Sequence, residues 1–407
     1  MRIAVVGPSH PYKGGIAQYT TELAHQLVVA GHEVRIESWS YQYPALLYPG
    51  QLTVREPELP PFTPTHRRLS WRRPDSWYAS GRRLRDADLV VLVMVHPIQL
   101  PAYLGVLAGL GRWRRQRPGA VAPGVVAPCV VAPCVVAPCV VAPGVVAPGV
   151  VAQCHNVLPH ERRAVDAALV RAVLSRVDGV LAHSAAQGEV ARSLTDRPVT
   201  VEHMAPLVVA RADAAGADAA GAGAEAPAVH RRLLSFGIVR RYKGLDVLLR
   251  ALAAGPEGVR LRVAGEFWGG PEATERLVAE LGLADRVELR PGYVEAVEVP
   301  GLFADVDALT LPYRTATASL NTFLAFEHGV PVIATRVGTV EQDVQDGVNG
   351  VLCAPDDVAA LTAALHRFYA DGEPQRLRAG VARVDAGPAW QRYCAALCAL
   401  TPAPTRR

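Results

Sequence analysis

The sequence carries little net charge for its length. Across 407 residues, 42 Lys and Arg oppose 38 Asp and Glu, a formal balance of +4. That excess is too mild to argue for a nucleic-acid partner. Paired Cys-x-x-Cys motifs are absent, as is any zinc-type spacing of ligands, so no metal site is expected. Of seven cysteines, Cys129, Cys134 and Cys139 belong to one tandem repeat, and Cys154, Cys353, Cys394 and Cys398 are scattered. They read as reduced cytosolic thiols rather than a disulfide framework. The opening Met1-Arg2-Ile3-Ala4-Val5-Val6-Gly7 is too short for a signal-peptide core and lacks a small-residue cleavage site, so the expectation is a cytoplasmic protein. The excess of Ala, Arg, Gly and Pro over Lys and Ile looks like GC-rich coding bias and carries no functional signal.

Half the residues are hydrophobic and a fifth are charged, the balance of a soluble globular enzyme. The length exceeds one ordinary core and favours two domains or three, at roughly 150 residues each. Strands alternate with helical stretches in both halves, the pattern of a parallel sheet covered on both faces. In the first half, strand Ile3–Val6 leads through Gly14-Gly15 to a helix over Ile16–Val29, which Gly31 stops before strand Glu33–Ile36. Further strands are expected at Leu89–Val95, Val150–Cys154 and Gly179–Ala182. In the second half the expected order is strand Leu233–Gly237, helix Leu245–Ala253, strand Arg260–Gly265, helix Ala273–Leu281 and strand Val287–Leu289. Strands Ala308–Leu311 and Val332–Ala334 follow, and Asp385 to Leu400 reads as a terminal helix. The expected fold class is α/β, with two doubly wound parallel-sheet domains.

Two segments stand outside that alternation. The stretch 210–229 is mostly Ala and Gly, with nothing to bury, and reads as a linker or surface insertion. Residues 120–149 repeat Val-Val-Ala-Pro-Cys or Val-Val-Ala-Pro-Gly with period five. The run is apolar and long enough for a membrane span, but each proline removes a helical hydrogen bond at a cost of about 3 kcal/mol. Proline also cannot donate to a central ladder, and an odd period flips faces at every repeat. The reading is a tandem expansion in which only the last copy is a true strand; the alternative is a hydrophobic docking arm. The expected boundaries are 1–209, with the repeat at 120–149, then 210–229, 230–384, and a helix and tail at 385–407.

Four segments carry chemistry. Gly14-Gly15 precedes a helix, where glycine lets backbone approach a ligand and the helix N-terminus favours an anion. Such a pair is also an ordinary turn, and it lacks the third glycine of a dinucleotide fingerprint. His155 follows a buried strand, at the sheet edge where open α/β folds bind ligands; otherwise it is a hydrogen-bonded loop residue. His160-Glu161 reads as a capping pair. Arg240, Arg241 and Lys243 place three cations at a glycine-bounded helix start, which suits a diphosphate or else a solvated basic loop. Thr317, Ser319 and Leu320 lie before a helix expected at Thr322–His328, offering hydroxyls and open N–H groups to phosphate or a plain N-cap.

The order of these segments resembles glycosyltransferase family 4. The resemblance rests on GGIAQYTTELAHQLVVAGHEV (14–34), FGIVRRYKGLDVLLRAL (236–252), AGEFW (264–268), RVELRPGYV (286–294), ADVDALTLPY (304–313) and GVPVIATRVGTVEQDVQDGVNGVL (329–352). It implies a GT-B fold, two facing Rossmann-like domains with an active cleft between them, an N-terminal acceptor side and a C-terminal donor side. It also implies retaining, metal-independent transfer from a UDP- or GDP-sugar to a glycan, lipid-linked or small-molecule acceptor, with no further cofactor. By the same resemblance, Gly14 and Gly15 face donor phosphates and acceptor, His155 sits beside the transferring sugar as the catalytic residue, and Lys243 meets the diphosphate. Val294 falls where the base is held. The family arginine falls on Ile238, with Arg240 or Arg241 as its substitute. The family's two glutamates fall on Ala316 and Leu324, so Thr317, Ser319 and Leu320 are assigned to the donor instead, as in a similar branch of the family. In the family the terminal helix returns to the N-terminal domain.

Two alternatives remain: a sugar-nucleotide epimerase, which needs no acceptor, and a catalytically silent binding subunit, suggested by the missing glutamates. Arg67-Arg68, Trp71-Arg72-Arg73, Trp77, Arg82-Arg83 and Arg112-Trp113-Arg114-Arg115 interleave Trp with cations. They suit peripheral contact with an anionic inner membrane face, or equally a solvated basic surface.

Overall fold

The computed structural model describes residues 1–42, 51–57, 59–112, 147–159, 165–207 and 228–401. The N-terminal elements are β1 (Arg2–Val6), α1 (Gly15–Val29), β2 (Glu33–Tyr41), β3 (Thr65–Ser70), α2 (Asp75–Arg83), β4 (Leu89–Met94), α3 (Leu100–Gly109), β5 (Gly149–Cys154), α4 (Asp166–Leu174), β6 (Gly179–Ala182), α5 (Ala185–Arg192) and β7 (Val199–Val201). The C-terminal elements are β8 (Arg232–Phe236), α6 (Leu245–Ala253), β9 (Arg260–Gly265), α7 (Glu272–Glu280), β10 (Val287–Pro291), α8 (Val299–Phe303), β11 (Ala308–Leu311), α9 (Leu320–Glu327), β12 (Val332–Thr335), α10 (Val340–Asp343), β13 (Gly350–Cys353), α11 (Val358–Phe368), α12 (Glu373–Ala379) and α13 (Gly387–Ala399).

The strands form two parallel sheets, ordered β3-β2-β1-β4-β5-β6-β7 and β10-β9-β8-β11-β12-β13. Strand order reverses between β1 and β4 in the first sheet and between β8 and β11 in the second. A crevice opens at the carboxyl ends of strands at such a reversal, where open α/β sheets hold ligands. Central strands are continuous apolar runs because helices cover both faces: β4 is Leu-Val-Val-Leu-Val-Met and buried throughout. The edge strand β3 instead exposes Arg67 and Arg68, charges that blunt an open edge.

Two glycines fix how the chain enters and leaves α1. Gly14 at its N-cap has φ +91°, and Gly31 beyond its C-cap has φ +85°, both in the left-handed region. The Gly31 and His32 amides donate to the Val28 and Leu27 carbonyls, closing the helix end. Helix α13 packs back on the N-terminal sheet. Trp390, Tyr393 and Leu397 are buried in the same cluster as Ile3, Val5, Tyr19 and Leu23. The Trp390 indole donates to the Pro206 carbonyl at 3.0 Å.

Several expectations shift. Helix α9 begins at Leu320, two residues before the expected start, and Ser319 is its N-cap but makes no side-chain capping bond. Strand β2 runs on to Tyr41. Arg112 does not belong to a basic surface: it is buried, pairs with Asp178, and donates to the Pro148 carbonyl at 2.6 Å. Trp71 and Trp77 are half-buried, packed edge-to-face at 5.5 Å against the core. The exposed part of that patch is Arg67, Arg68, Arg72, Arg73, Arg82 and Arg83. The repeat lies outside the described residues except for its final three, the linker except for its last two, and Trp113, Arg114, Arg115, His160 and Glu161 lie outside them too.

Candidate active site

His155 follows β5 directly, and its amide donates to the Met94 carbonyl at the end of β4. Its ring is buried against Tyr19 of α1, with centroids 5.3 Å apart and nearly perpendicular planes. Neither ring nitrogen has a hydrogen-bond partner. His183, the first residue after β6, lies 5.0 Å away, centroid to centroid. Burial, followed by the neighbouring His183, holds the pKa of His155 well below its usual value. Burial lowers His183 to about 4, partly opposed by its hydrogen bond to the Glu202 carbonyl. Both imidazoles are therefore neutral at pH 7.

On the C-terminal side, the chain leaves β8 through Gly237 and reaches Lys243 in a single tight turn. Gly244, at φ +67°, closes that turn so near β11 that an added Cβ would stand 2.0 Å from the Pro312 carbonyl oxygen. The Lys243 ammonium donates to the Tyr313 hydroxyl at 2.9 Å and lies 4.5 Å from that ring's centre. Burial opposes its charge, but the phenols of Tyr313 and Tyr242 outweigh burial, and the pKa stays above that of an ordinary lysine. Arg240 goes elsewhere, its guanidinium 4.2 Å over the Trp268 ring. Arg241 is exposed, and its carbonyl accepts from Arg314 at 2.8 Å. Val294 is half-buried against the C-terminal core. The three cations that the sequence groups together thus diverge, and only Lys243 joins Tyr313.

The two halves meet at the remaining positions. Thr317 donates its hydroxyl to the Asn156 amide oxygen at 2.6 Å, beside His155. A Cβ on Gly15 would stand 2.7 Å from Leu320 Cδ1, so the side chain of the first residue of α9 lies close against this loop. Leu320 also packs with Ile16 against the N-terminal cluster. The loop carrying Thr317 is held from behind by the Thr339 amide, which donates to the Thr317 carbonyl at 3.0 Å.

Lys13, next to Gly14, forms an ion pair with Glu266 after β9, and the Gln51 amide donates to the same carboxylate at 3.1 Å. Among the described residues this is the sole ion pair joining the two sheets' layers. An open cavity of about 560 Å³ adjoins it, with Trp268, Gly269, Gly270, Pro291 and Gly292 in its wall. Among the described residues, no group of three or more His, Cys, Asp or Glu could hold a metal ion.

Sequence reasoning missed His183, Glu266 and Lys13. His183 was open to the argument that singled out His155, since it too ends a buried strand. The Lys13–Glu266 pair spans 253 positions and left no local signal.

Residues 230–371 match the sequence model of the family described as Glycosyl transferases group 1. That segment is similar to a glycosyl transferases group 1 domain. Its likeness to curated proteins is partial. The chain is 34% identical over 179 residues to D-inositol 3-phosphate glycosyltransferase of Xylanimonas cellulosilytica, which covers 43% of each chain. It is 35% identical over 150 residues to the GDP-mannose-dependent alpha-(1-6)-phosphatidylinositol monomannoside mannosyltransferase of Mycolicibacterium smegmatis, 34% of this chain and 38% of that one. The chain thus spans less than half the length of these relatives. Solved structures match across the whole molecule. Anabaena HepE in complex with UDP has a TM-score of 0.65 at 15% identity, covering 98% of this chain and 100% of that one. Sucrose-phosphate synthase from Thermosynechococcus elongatus has a TM-score of 0.62 at 18% identity, covering 98% and 95%. The structural likenesses establish the fold alone: GT-B, two facing Rossmann-like domains.

Proposed function

We propose that the protein is a glycosyltransferase that moves a sugar from a nucleoside diphosphate to an acceptor hydroxyl, with retention and without a metal. The carrying observation is the convergence of Gly14-Gly15, His155-Asn156 and Thr317–Leu320 at the facing carboxyl edges of two parallel sheets, with Lys243 beside Tyr313 on the same edge. The group 1 match over the C-terminal domain supports it.

The hard step is departure of the diphosphate, and fixed cations and dipoles stabilise charge that develops at such a site. Lys243 would supply the cation and the N–H groups of the first turn of α9 the dipole, with Gly14-Gly15 giving backbone close approach. Leu320 now stands against Gly15, so admitting a donor requires the halves to part there and close again over it, excluding water. Neutral His155 would hold a sugar hydroxyl. The base would enter the cavity between Glu266 and Gly292, where Trp268 offers a ring for stacking. UDP- and GDP-sugars are both candidate donors: HepE is described with UDP, and the mannosyltransferase relative is named for GDP-mannose. Those relatives' names point to inositol-phosphate or lipid-linked acceptors.

Incubation with a panel of UDP- and GDP-sugars and inositol-type or lipid-linked acceptors tests this reading. It predicts glycosylated product without added metal. Donor binding without turnover across the panel would favour a silent binding subunit, the reading that Ala316 and Leu324 support by standing where the family has carboxylates. Donor isomerisation without acceptor would identify an epimerase. The exposed arginines of β3 and α2 suit peripheral contact with anionic lipid on the cytoplasmic side. No flotation with phosphatidylserine or phosphatidylglycerol vesicles would remove that contact. Among the described residues, no helix is long and apolar enough to cross a membrane.

A further inference from the structure

Of the 42 Lys and Arg residues only two are lysines, Lys13 and Lys243, and both stand at the cleft. In a chain so dominated by arginine, each lysine asks for a reason. An ammonium is a compact point charge, whereas a guanidinium is a broader planar fork. Lys243 is accounted for by Tyr313 and the diphosphate proposed above. Lys13 is not. Its side chain is 4% exposed and reaches across the cleft to C-terminal groups, paired with Glu266 and 4.9 Å from the centre of the Tyr293 ring.

The N-terminal half presents two donors to that one carboxylate. Tyr12 and Thr53 form an antiparallel bridge, and the Lys13 and Val54 amides donate to the Leu52 and Pro11 carbonyls, so 11–13 and 51–54 are one paired loop. One limb sends the Lys13 ammonium to Glu266 Oε2, and the other sends the Gln51 amide to Oε1 at 3.1 Å. Glu266 is itself held in place. Its carbonyl accepts from the Val239 amide at 2.8 Å. Gly265 before it, at φ +149°, lies so close to the exit of β8 that an added Cβ would stand 1.9 Å from the Gly237 carbonyl oxygen. Gln51 and Glu266 both line the cavity of about 560 Å³, so its wall is drawn from both halves.

We propose that Lys13 and Glu266 are a latch across the cleft. Paired, they hold the 51–54 limb against the cavity and keep the two halves closed. Parted, they open the cavity to a nucleotide. Each charge is desolvated by the opposite half, so either one left alone in the closed state is costly, and the pair separates closed from open as two distinct arrangements. A cavity that must open first admits its ligand more slowly than one that stands open. The effect on nucleotide entry rests on the base site proposed above; the latch itself does not.

The test uses full-length protein labelled with ¹⁵N-lysine, which has two ammonium signals, with Lys13→Arg used for assignment. In the wild type the Lys13 hydrogens should exchange with water at least about tenfold more slowly than those of free lysine, because solvent reaches them only on opening. In Glu266→Gln that protection should fall towards the free-lysine rate. Stopped-flow mixing with UDP and with GDP reads entry. The kinetic variant is Lys13→Met/Glu266→Gln, which removes both charges and leaves neither unpaired. It should bind at least one of the two nucleotides about threefold faster than the wild type, or more. An unprotected Lys13 ammonium in the wild type overturns the latch, as does undiminished protection in Glu266→Gln. Association no faster than wild type in the double variant overturns the gating of entry. Should Glu266→Gln not fold, wild-type exchange and the double variant still decide. If neither nucleotide binds to the wild type or the variants, the function proposed above fails, and lysine exchange still decides the latch.

Discussion

At the carboxyl edge of the N-terminal sheet the titratable groups are His155 and His183, both buried and both neutral at pH 7. At the facing edge of the C-terminal sheet stands Lys243, held as an ammonium against Tyr313. The same strand-loop-helix unit builds both edges, so the difference lies in what surrounds the loops. Beneath the histidines α13 adds Trp390 and Tyr393, and the aromatic cluster withholds water from any charge. Lys243 instead has phenol oxygens beside it, and these compensate its desolvation. One edge is suited to uncharged hydroxyls and the other to phosphate. The comparison also explains why Arg240 and Arg241 are dispensable to that pairing: Arg240 lies over Trp268 and Arg241 faces solvent.

The largest expected effect is on the support of the neutral edge. Trp390→Ala removes a fully buried indole that packs at a tilt against Tyr19 and donates to the Pro206 carbonyl. Substitutions of this kind cost roughly 3–5 kcal/mol. Denaturant unfolding should show that loss, while nucleoside diphosphate affinity per folded molecule stays normal. A change confined to nucleotide affinity would mean that α13 serves the donor side.

Next come the two edges themselves. His155→Ala and Lys243→Ala should each lower turnover by at least about tenfold: Lys243 loses a charge-assisted contact of roughly 1.5–3 kcal/mol, and loss of neutral His155 leaves a buried hydroxyl unpaired at about 1–3 kcal/mol. Circular dichroism melts should stay near wild type. Near-normal turnover in either variant removes that residue from the site.

Gly244→Ala should destabilise by about 1–3 kcal/mol, because alanine resists φ +67° and its methyl would meet the Pro312 carbonyl. It should also disturb Lys243, so weaker nucleotide binding is expected alongside a lower Tm. An unchanged melt would show that the turn is not the constraint claimed here.

The last effect concerns pH. Asp343 lies behind the Thr317 loop, accepting from Thr339 at 3.2 Å. Burial raises its pKa to about 7, partly offset by the Thr339 bond, against an ordinary value near 3.8. The folded state therefore holds a proton that the unfolded chain releases between those values, and stability falls as pH climbs from about 4 to 7, then levels. Asp343→Asn should flatten that decline in melts taken across the range. A decline of equal slope in the variant would assign it to other groups.

How much of this was legible depended on burial. Gly179–Ala182 and Ala308–Leu311 were readable to the residue, because strands buried on both faces are nearly continuous apolar runs, and so were Arg260–Gly265 and the helix Leu245–Ala253, from their place in the strand–helix alternation. Strand β3 was not, since Thr-His-Arg-Arg-Leu-Ser lies at an edge and has no such run. The extension of β2 was hidden by Glu37 and Ser38, polar residues that are buried by tertiary packing. In the site, strand-end position pointed to His155, and glycine pairs pointed to the loops. What sequence could not supply was partnership: that Arg112 turns inward to Asp178, that Arg240 covers Trp268, and that Leu320 fills the space before Gly15.

Calorimetric titration of UDP and GDP into the wild type, Lys243→Ala and His155→Ala tests the division between the edges most directly. The account predicts binding of at least one nucleotide to the wild type, a loss of about tenfold or more in Lys243→Ala, and near-wild-type affinity in His155→Ala. Equal affinity in the wild type and Lys243→Ala, or a loss confined to His155→Ala, would contradict it.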